Sequence, residues 1–171
     1  TLGIIGFGRI GQEVAKIGLG VGMNVIAADT YMEEATVTVS LFNGQSIPVV
    51  IKTQTMETVL AESDFISLHV PAQKDYVIDA SAFSKMKKGA AIVNAARGGV
   101  IDEQALLAAL ENGTVAAAAL DVYDNEPNPL KELINHPKIA CTPHIGAATL
   151  EAQDRIGEEL AELIIDFSKE A

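Results

Sequence analysis

Short apolar runs alternate with amphipathic segments along most of the chain. Six of these runs show little polar alternation, which is typical of strands covered on both faces of a parallel sheet. They span 2–6, 23–28, 65–70, 90–96, 115–122 and 139–142. Helical periodicity over 10–19, 102–112 and 149–168, with a shorter helix over 56–61, supplies crossovers between them. The pattern predicts a doubly wound α/β fold with a parallel sheet and helices on both faces.

Local signals mark the ends of several elements. Asp102 and Thr149 are good N-cap residues, and Gly113 is suited to stop the helix that precedes it. Between the second strand and the helix at 56–61, two β-like segments flank Asn43-Gly44. Because Asn-Gly favours a two-residue type I′ turn, we expect a hairpin-like insertion near 36–51.

The first strand leads into a glycine turn with the GxGxxG spacing at Gly6, Gly8 and Gly11. In a strand, turn and helix context, Gly6 permits the sharp turn and Gly8 lets a dinucleotide pyrophosphate approach the backbone. Gly11 lets the helix pack closely on the strand, and the helix N-terminus offers N–H donors to phosphate. The motif alone also occurs in other glycine-rich loops, so its value depends on the residues downstream of it.

An acidic residue completes this signature. Asp29 ends the second strand, roughly 20 positions after Gly11, where a carboxylate can accept hydrogen bonds from the adenosine ribose hydroxyls. The same charge repels the 2′-phosphate of NADP, so NAD is the preferred cofactor. The alternative is that Asp29 only begins a surface turn. Together these signals predict a Rossmann-type dinucleotide-binding domain over 1–171.

Composition limits the partners. The chain has 171 residues, 49% of them hydrophobic, and a formal net charge of −11, which disfavours nucleic acid. No apolar run reaches the roughly 20 residues that a membrane span needs. The single cysteine, Cys141, has no cysteine partner for a disulfide or a metal site, and we expect it to be buried. A cytoplasmic protein without a bound metal is expected, and the start at Thr1 suggests a fragment.

Three polar segments follow the later strands and contain Arg97, Glu126 and His144. The carboxyl ends of parallel strands share one edge of the sheet, so these side chains could converge there. His144 could exchange a proton with a carbonyl or alcohol oxygen, and Glu126 could orient its imidazole. Arg97 could hold a substrate carboxylate bidentately. The alternatives are a structural turn for His144, a surface ion pair for Arg97 and an ordinary loop for Glu126.

The chain resembles the nucleotide-binding domain of the D-isomer-specific 2-hydroxyacid dehydrogenases. The resemblance covers nearly the whole chain and rests on several motifs in order. They are GIIGFGRIGQEVA from Gly3, LAESDFISLHVP from Leu60, MKKGAAIVNAARGGVIDEQALLAAL from Met86, AAALDVYDNEP from Ala117 and TPHIGAAT from Thr142.

The resemblance implies a role for each matching residue. Arg97 would bind the substrate carboxylate, His144 would be the general acid or base, and Glu126 would be its partner. Contacts with NAD are implied for Arg9, Ile10, Asp29, Ala95, Ala96, Asp121 and Gly146, with Asp121 near the nicotinamide carboxamide. His69, Val70 and Pro71 are placed where a loop could border the adenine pocket, and Gly6, Gly8, Gly11, Arg97 and His144 complete the expected cofactor site.

The resemblance also leaves alternatives open. The favoured reaction interconverts 3-phosphoglycerate and 3-phosphohydroxypyruvate in serine biosynthesis, with glyoxylate, hydroxypyruvate or D-lactate as other substrates. An NAD(H)-sensing module like the corepressors that share this fold is a rival of another class. The family's substrate-binding domain is absent from this sequence, and its members usually form homodimers. Two segments depart from the family: 72–77 is shorter than usual and 36–51 is longer.

Overall fold

The computed structural model describes residues 1–170, which form eight strands and six helices. The strands are β1 (Leu2–Ile5), β2 (Val25–Ala28), β3 (Glu34–Ser40), β4 (Ser46–Lys52), β5 (Phe65–Leu68), β6 (Ala90–Asn94), β7 (Val115–Leu120) and β8 (Ile139–Cys141). The helices are α1 (Arg9–Gly20), α2 (Met56–Glu62), α3 (Ala80–Lys85), α4 (Glu103–Glu111), α5 (Lys131–Ile134) and α6 (Leu150–Glu170). No helix in this described range is long and apolar enough to cross a membrane.

Six strands form one parallel sheet in the order β2-β1-β5-β6-β7-β8. The chain moves outward from β1 to β2 and then crosses back to β5 on the other side of β1. The carboxyl ends of β1 and β5 therefore flank a switch point, where open α/β sheets bind their ligands. The doubly wound fold predicted from the sequence is confirmed.

Two apolar cores lie on opposite faces of this sheet. On one face Ile5, Ile66 and Ile92 pack with residues of α2, α3 and α4. On the other face Leu2 and Ile4 pack with residues of α1 and of the β3–β4 hairpin. Within the described residues this second cover stops at β1, because Phe65 on β5 is 50% exposed and Val93 on β6 is 37% exposed.

The hairpin insertion is present, but its predicted type I′ turn is wrong. Ser40 pairs with Ser46, which leaves five residues between the strands, so a two-residue turn does not fit this register. The N–H of Leu41 donates to the Gln45 carbonyl at 2.8 Å, and only Gly44 in this loop has a positive φ. The connection is a three-residue loop in which Gly44 takes the left-handed bulge position.

The hairpin also accounts for β2 being the edge strand of the six-stranded sheet. The Rossmann order places a third strand beside β2, and here the chain makes only one parallel bridge there, between Ala27 and Thr53. The N–H of Gln54 adds a bond of 2.8 Å to the Ala27 carbonyl. The position of a third strand is thus occupied by the base of the hairpin.

Both predicted helix caps are confirmed. Asp102 Oδ1 accepts the N–H groups of Gln104 and Ala105 at 3.0 and 3.1 Å, and Thr149 Oγ1 accepts the N–H of Ala152 at 3.1 Å. The sequence pattern missed α3 and α5, which have 6 and 4 residues. Segments this short complete too few turns to show a helical period.

Candidate active site at the carboxyl ends of the strands

The three glycines of the opening turn each have a distinct spatial reason. Gly6 has a φ of 91°, and a Cβ there would lie 2.5 Å from the His69 carbonyl oxygen. A Cβ on Gly11 would collide with the Gly6 carbonyl oxygen, so α1 packs directly on the turn. A Cβ on Gly8 would meet nothing within 4 Å. Open space at Gly8 is what the approach of a pyrophosphate requires.

The N-terminus of α1 is available to an anion. Gly8 is the N-cap, and no side chain among the described residues caps this end. The first N–H groups of a helix have no partner within the helix and carry its positive dipole end, so they can donate to phosphate oxygens. Arg9 adds a cation at this end, with a side chain 88% exposed and Nη1 3.2 Å from Glu159 Oε1. The next residue, Ile10, is exposed.

Asp29 is tied to the glycine turn. Its Oδ2 accepts the N–H of Phe7 at 2.6 Å, and its Oδ1 accepts those of Tyr31 and Met32 at 2.8 and 3.1 Å. Burial raises the pKa of the Asp29 carboxyl, but these backbone donors outweigh it and the net pKa is lowered. The carboxylate is therefore ionised at neutral pH and fixed beside the turn.

A cavity of about 350 Å³ lies between the ends of β1 and β2 and the segment after β5. Gly6, Asp29 and Val70 line it together with Gln54 and Gln73.

Of the three residues expected at the adenine pocket, Val70 lies in the wall of this cavity, whereas His69 and Pro71 are not part of that wall. His69 instead bonds Ser67 Oγ through Nε2 at 2.9 Å, and burial lowers its pKa.

The loop after β6 presents Arg97. Asn94, which is 3% exposed, shapes this loop by donating to the Arg97 carbonyl at 3.0 Å and accepting the Ala96 N–H at 3.1 Å. The Arg97 side chain is exposed, and its Nη1 donates to the Ala96 carbonyl at 2.8 Å. Arg97 forms no ion pair within residues 1–170, so its guanidinium is available to an external carboxylate.

The next two loops bring Glu126 and His144 together. His144 Nδ1 lies 2.7 Å from Glu126 Oε2, and Glu126 Oε1 accepts the Tyr123 N–H at 3.0 Å. The bonds from His144 and Tyr123 lower the pKa of Glu126. A carboxylate on Nδ1 fixes the ring and leaves Nε2 as the nitrogen that can exchange a proton.

Asp121 organises the loop that carries His144. Its Oδ1 accepts the Thr142 hydroxyl at 2.5 Å and the Ile145 N–H at 2.9 Å, while Oδ2 accepts the Gly146 N–H at 2.8 Å. Burial raises the pKa of Asp121, but these bonds outweigh it and lower the net pKa. Sequence reasoning identified Asp121 only as a cofactor contact. Its carboxylate also holds the histidine loop on both sides of His144.

Two further cavities flank this loop. One, of about 350 Å³, is lined by Asn94, Ala95, Asp121 and Gly146 among others. The other, of about 340 Å³, is lined by Glu126, His144 and Cys141 together with apolar residues. The expectation that Cys141 is buried is wrong: it is half-buried, because it ends the short edge strand β8 and faces this cavity.

The arrangement fits a dinucleotide and a small acid. The open Gly8, the uncapped helix end and the ionised Asp29 suit the pyrophosphate and ribose of the cofactor. A fixed imidazole can donate a proton to a carbonyl oxygen or remove one from an alcohol, and a free guanidinium can bind a carboxylate. These are the groups that hydride transfer between a hydroxy acid and an oxo acid requires.

The comparison with known families agrees with this geometry. Residues 1–146 match the model of the D-isomer specific 2-hydroxyacid dehydrogenase, NAD binding domain. The chain belongs to this family. Its cofactor is therefore NAD.

Individual members of the 2-hydroxyacid dehydrogenase family are similar over nearly the whole chain. D-3-phosphoglycerate dehydrogenase of Bacillus subtilis is 40% identical, with 99% of this chain and 31% of the relative covered. Hydroxypyruvate reductase of Thermotoga maritima is 45% identical over 96% of this chain and 51% of the relative. The solved structure of D-2-hydroxyisocaproate dehydrogenase has a TM-score of 0.82 at 30% identity. The match covers 99% of this chain and 53% of the dehydrogenase chain. The chain spans about a third to a half of these relatives.

Proposed function

We propose that this chain is the cofactor-binding part of an enzyme that interconverts a D-2-hydroxy acid and a 2-oxo acid. The observation that carries the proposal is the 2.7 Å contact between His144 Nδ1 and Glu126 Oε2 at the carboxyl edge of the sheet. The presence of Arg97, Glu126 and His144 together favours an enzyme over a domain that only senses NAD(H).

Each residue has a defined part in this proposal. His144 Nε2 exchanges the proton with the substrate oxygen, and Arg97 binds the substrate carboxylate. The cofactor is held by a larger set drawn from the loops at this edge, with residues 1–171 acting as one dinucleotide-binding domain. That set is Gly6, Gly8, Arg9, Ile10, Gly11, Asp29, His69, Val70, Pro71, Ala95, Ala96, Arg97, Asp121, His144 and Gly146.

The favoured substrate pair is 3-phosphoglycerate and 3-phosphohydroxypyruvate. This preference is supported by the similarity to a relative named D-3-phosphoglycerate dehydrogenase. Hydroxypyruvate is the second candidate, because the relative named for its reduction has the higher identity, at 45%. Further substrate contacts would come from residues outside this chain, so the 171 residues alone should bind NADH but turn over poorly.

The experiment is a substrate panel on the protein that combines this chain with its substrate-binding region. Oxidation of 3-phosphoglycerate and reduction of hydroxypyruvate, glyoxylate and pyruvate are followed through NADH absorbance. Arg97→Ala should lower kcat/KM at least a hundredfold, whereas Lys88→Ala, an exposed cation at the amino end of β6, should leave it unchanged. No turnover of any acid in the panel, together with NADH-dependent capture of a protein partner that survives Arg97→Ala, would favour the sensing module.

We also propose that the protein is a cytoplasmic homodimer. The similarity to the 2-hydroxyacid dehydrogenase family supports this assembly, and sedimentation velocity at micromolar concentration tests it. A purely monomeric boundary would contradict the dimer.

A further inference from the structure

A short chain of hydrogen bonds connects three loops outside the direct site. The Tyr76 hydroxyl donates to Asp124 Oδ2 at 2.9 Å, and the Gly99 N–H donates to Asp124 Oδ1 at 2.7 Å. The Asp124 N–H in turn donates to Glu103 Oε1 at 2.9 Å. Asp124 therefore lies at the centre of a link between the segment after β5, the loop after β6 and the loop after β7.

Each end of this link belongs to a different part of the site. Tyr76 lies in the segment between β5 and α3, where the neighbouring Gln73 and Val77 line the cavity beside Asp29. Gly99 lies two positions after Arg97 and has a φ of 77°. A Cβ on Gly98 would collide with the Tyr123 carbonyl oxygen, so the loop that carries Arg97 rests directly on the loop that leads to Glu126.

The Tyr76 hydroxyl is the side-chain donor to the Asp124 carboxylate among the described residues. Within residues 1–170 no lysine or arginine pairs with Asp124, and the acids Asp102 and Glu103 lie close enough to Tyr76 to raise its pKa. The hydrogen bond to Asp124 is the largest cause of that rise. Asp124 is exposed, and within the described residues its two side-chain oxygens accept from one phenol and one backbone N–H.

Tyr76 is 45% exposed, so a large share of its surface remains in water. Its hydroxyl supplies a directed donor to one oxygen of Asp124, and the other oxygen accepts the Gly99 N–H.

We propose that Tyr76 is a positioning residue for the substrate carboxylate. Through Asp124 it holds the turn at Gly99, and that turn sets where the Arg97 guanidinium is presented. The inference rests on the proposed function, in which Arg97 binds the carboxylate of the substrate. It also gives a role to the segment 72–77, which departs from the family pattern.

The first test uses Tyr76→Phe in the protein that combines this chain with its substrate-binding region. This variant loses the hydrogen bond to Asp124, which positions the loop of Arg97. The KM for the hydroxy acid should therefore rise roughly five- to tenfold. Arg97 would bind the carboxylate equally in ground and transition states, so kcat should change less than twofold. In an Asp124→Ala background, Tyr76→Phe should have no further effect on KM.

The second test uses the 171-residue chain and needs no substrate. Amide hydrogen exchange at Gly99 should be about tenfold faster in Tyr76→Phe, because its N–H loses a fixed acceptor. Unchanged exchange at Gly99, or an unchanged KM in an active enzyme, would overturn the positioning role. A third outcome separates the two proposals. If the wild-type protein turns over no hydroxy acid but Gly99 exchange is faster in Tyr76→Phe, the proposed function is overturned while the link between Tyr76 and the turn is supported.

Discussion

The Phe7 N–H and Asp29 Oδ2 lie 2.6 Å apart, so the glycine turn and the acid at the end of β2 form one unit. The two residues are 22 positions apart in the chain. Because the same carboxylate also accepts two N–H groups of the following turn, its geometry is set before any ribose binds. Preorganisation of this kind lowers the entropy cost of binding.

Replacing Asp29 should therefore affect both stability and cofactor binding. Asp29→Asn puts an amide donor against backbone N–H groups, and we expect a loss of roughly 1–3 kcal/mol in the free energy of unfolding. NADH affinity should fall at least tenfold, while discrimination against NADPH decreases. Urea unfolding and NADH fluorescence titration measure the two effects. The exposed neighbour Glu33, changed to Gln, is the control and should leave both quantities unchanged.

Gly8 and Gly11 should respond differently to the same substitution. Gly8→Ala places a methyl group in open space, so the melting temperature should be kept while NADH affinity falls more than tenfold. Gly11→Ala places the methyl group against the Gly6 carbonyl and should lower the melting temperature by several degrees. Differential scanning calorimetry with NADH titration separates the two. Equal affinity for NADH in Gly8→Ala and wild type would remove Gly8 from the phosphate site.

The bonds to Asp121 predict a stabilised histidine loop. Asp121→Asn replaces an acceptor that serves three donors, so the free energy of unfolding should fall by roughly 1–3 kcal/mol and the exchange of the Gly146 amide should accelerate. Thr142→Val removes only the hydroxyl donor and should have the smaller effect. If Thr142→Val accounts for the whole loss, the two backbone donors contribute little.

The contact between Glu126 and His144 should matter for turnover. In the combined protein, Glu126→Gln should lower kcat by about 10²-fold, because the imidazole loses the carboxylate that orients it. The pKa of Glu126 is lowered from its ordinary value, so this carboxylate stays ionised at neutral pH and its titration should not limit activity above about pH 5. Glu132→Gln, an exposed carboxylate on α5, is the control. The test is the pH dependence of kcat in the wild type and in Glu126→Gln. The view is contradicted if kcat of the wild type falls with an apparent pKa above about 5 and this fall is absent from Glu126→Gln.

His69 should make stability depend on pH. Burial lowers its pKa in the folded state, so the unfolded state binds a proton first as the pH falls. The free energy of unfolding is therefore retained above the unfolded pKa of about 6.5 and decreases as the pH falls from there towards the folded pKa. Urea midpoints at about pH 7.5 and about pH 5.5, on either side of that unfolded value, should differ in wild type and converge in His69→Asn. Equal differences in the two proteins would assign the dependence to other groups.

The sequence predicted most of the parallel sheet and the residues at its carboxyl edge. Gly6, Asp29 and His144 lie at the ends of apolar runs or within two positions after them. The ends of parallel strands meet at one edge, so position along the chain implies position in space. The caps at Asp102 and Thr149 were predictable for a similar reason, since capping acts within three residues.

Contacts that depend on distant parts of the chain were not predictable. The bond from Tyr76 to Asp124 joins residues 48 positions apart, and no local period reports it. The role of Asn94 is likewise invisible in the sequence, because its two bonds in the Arg97 loop depend on the conformation of that loop. The turn at Asn43-Gly44 differs from the prediction because the hairpin register pairs Ser40 with Ser46 and bonds Leu41 to Gln45, which leaves a loop of three residues rather than two.

The two ends of the six-stranded sheet differ in how they avoid pairing with another molecule. All four residues of β2 are buried. Val25 and Ala27 lie on the face covered by α1 and the hairpin, Ile26 and Ala28 lie on the face covered by α2, and Thr53 at the base of the hairpin bridges Ala27. At the other end β8 has only three residues, too few to template a stable intermolecular strand. The insertion at 36–51 thus protects the edge of the sheet, and shortening it should make the protein prone to aggregation before it affects NADH binding.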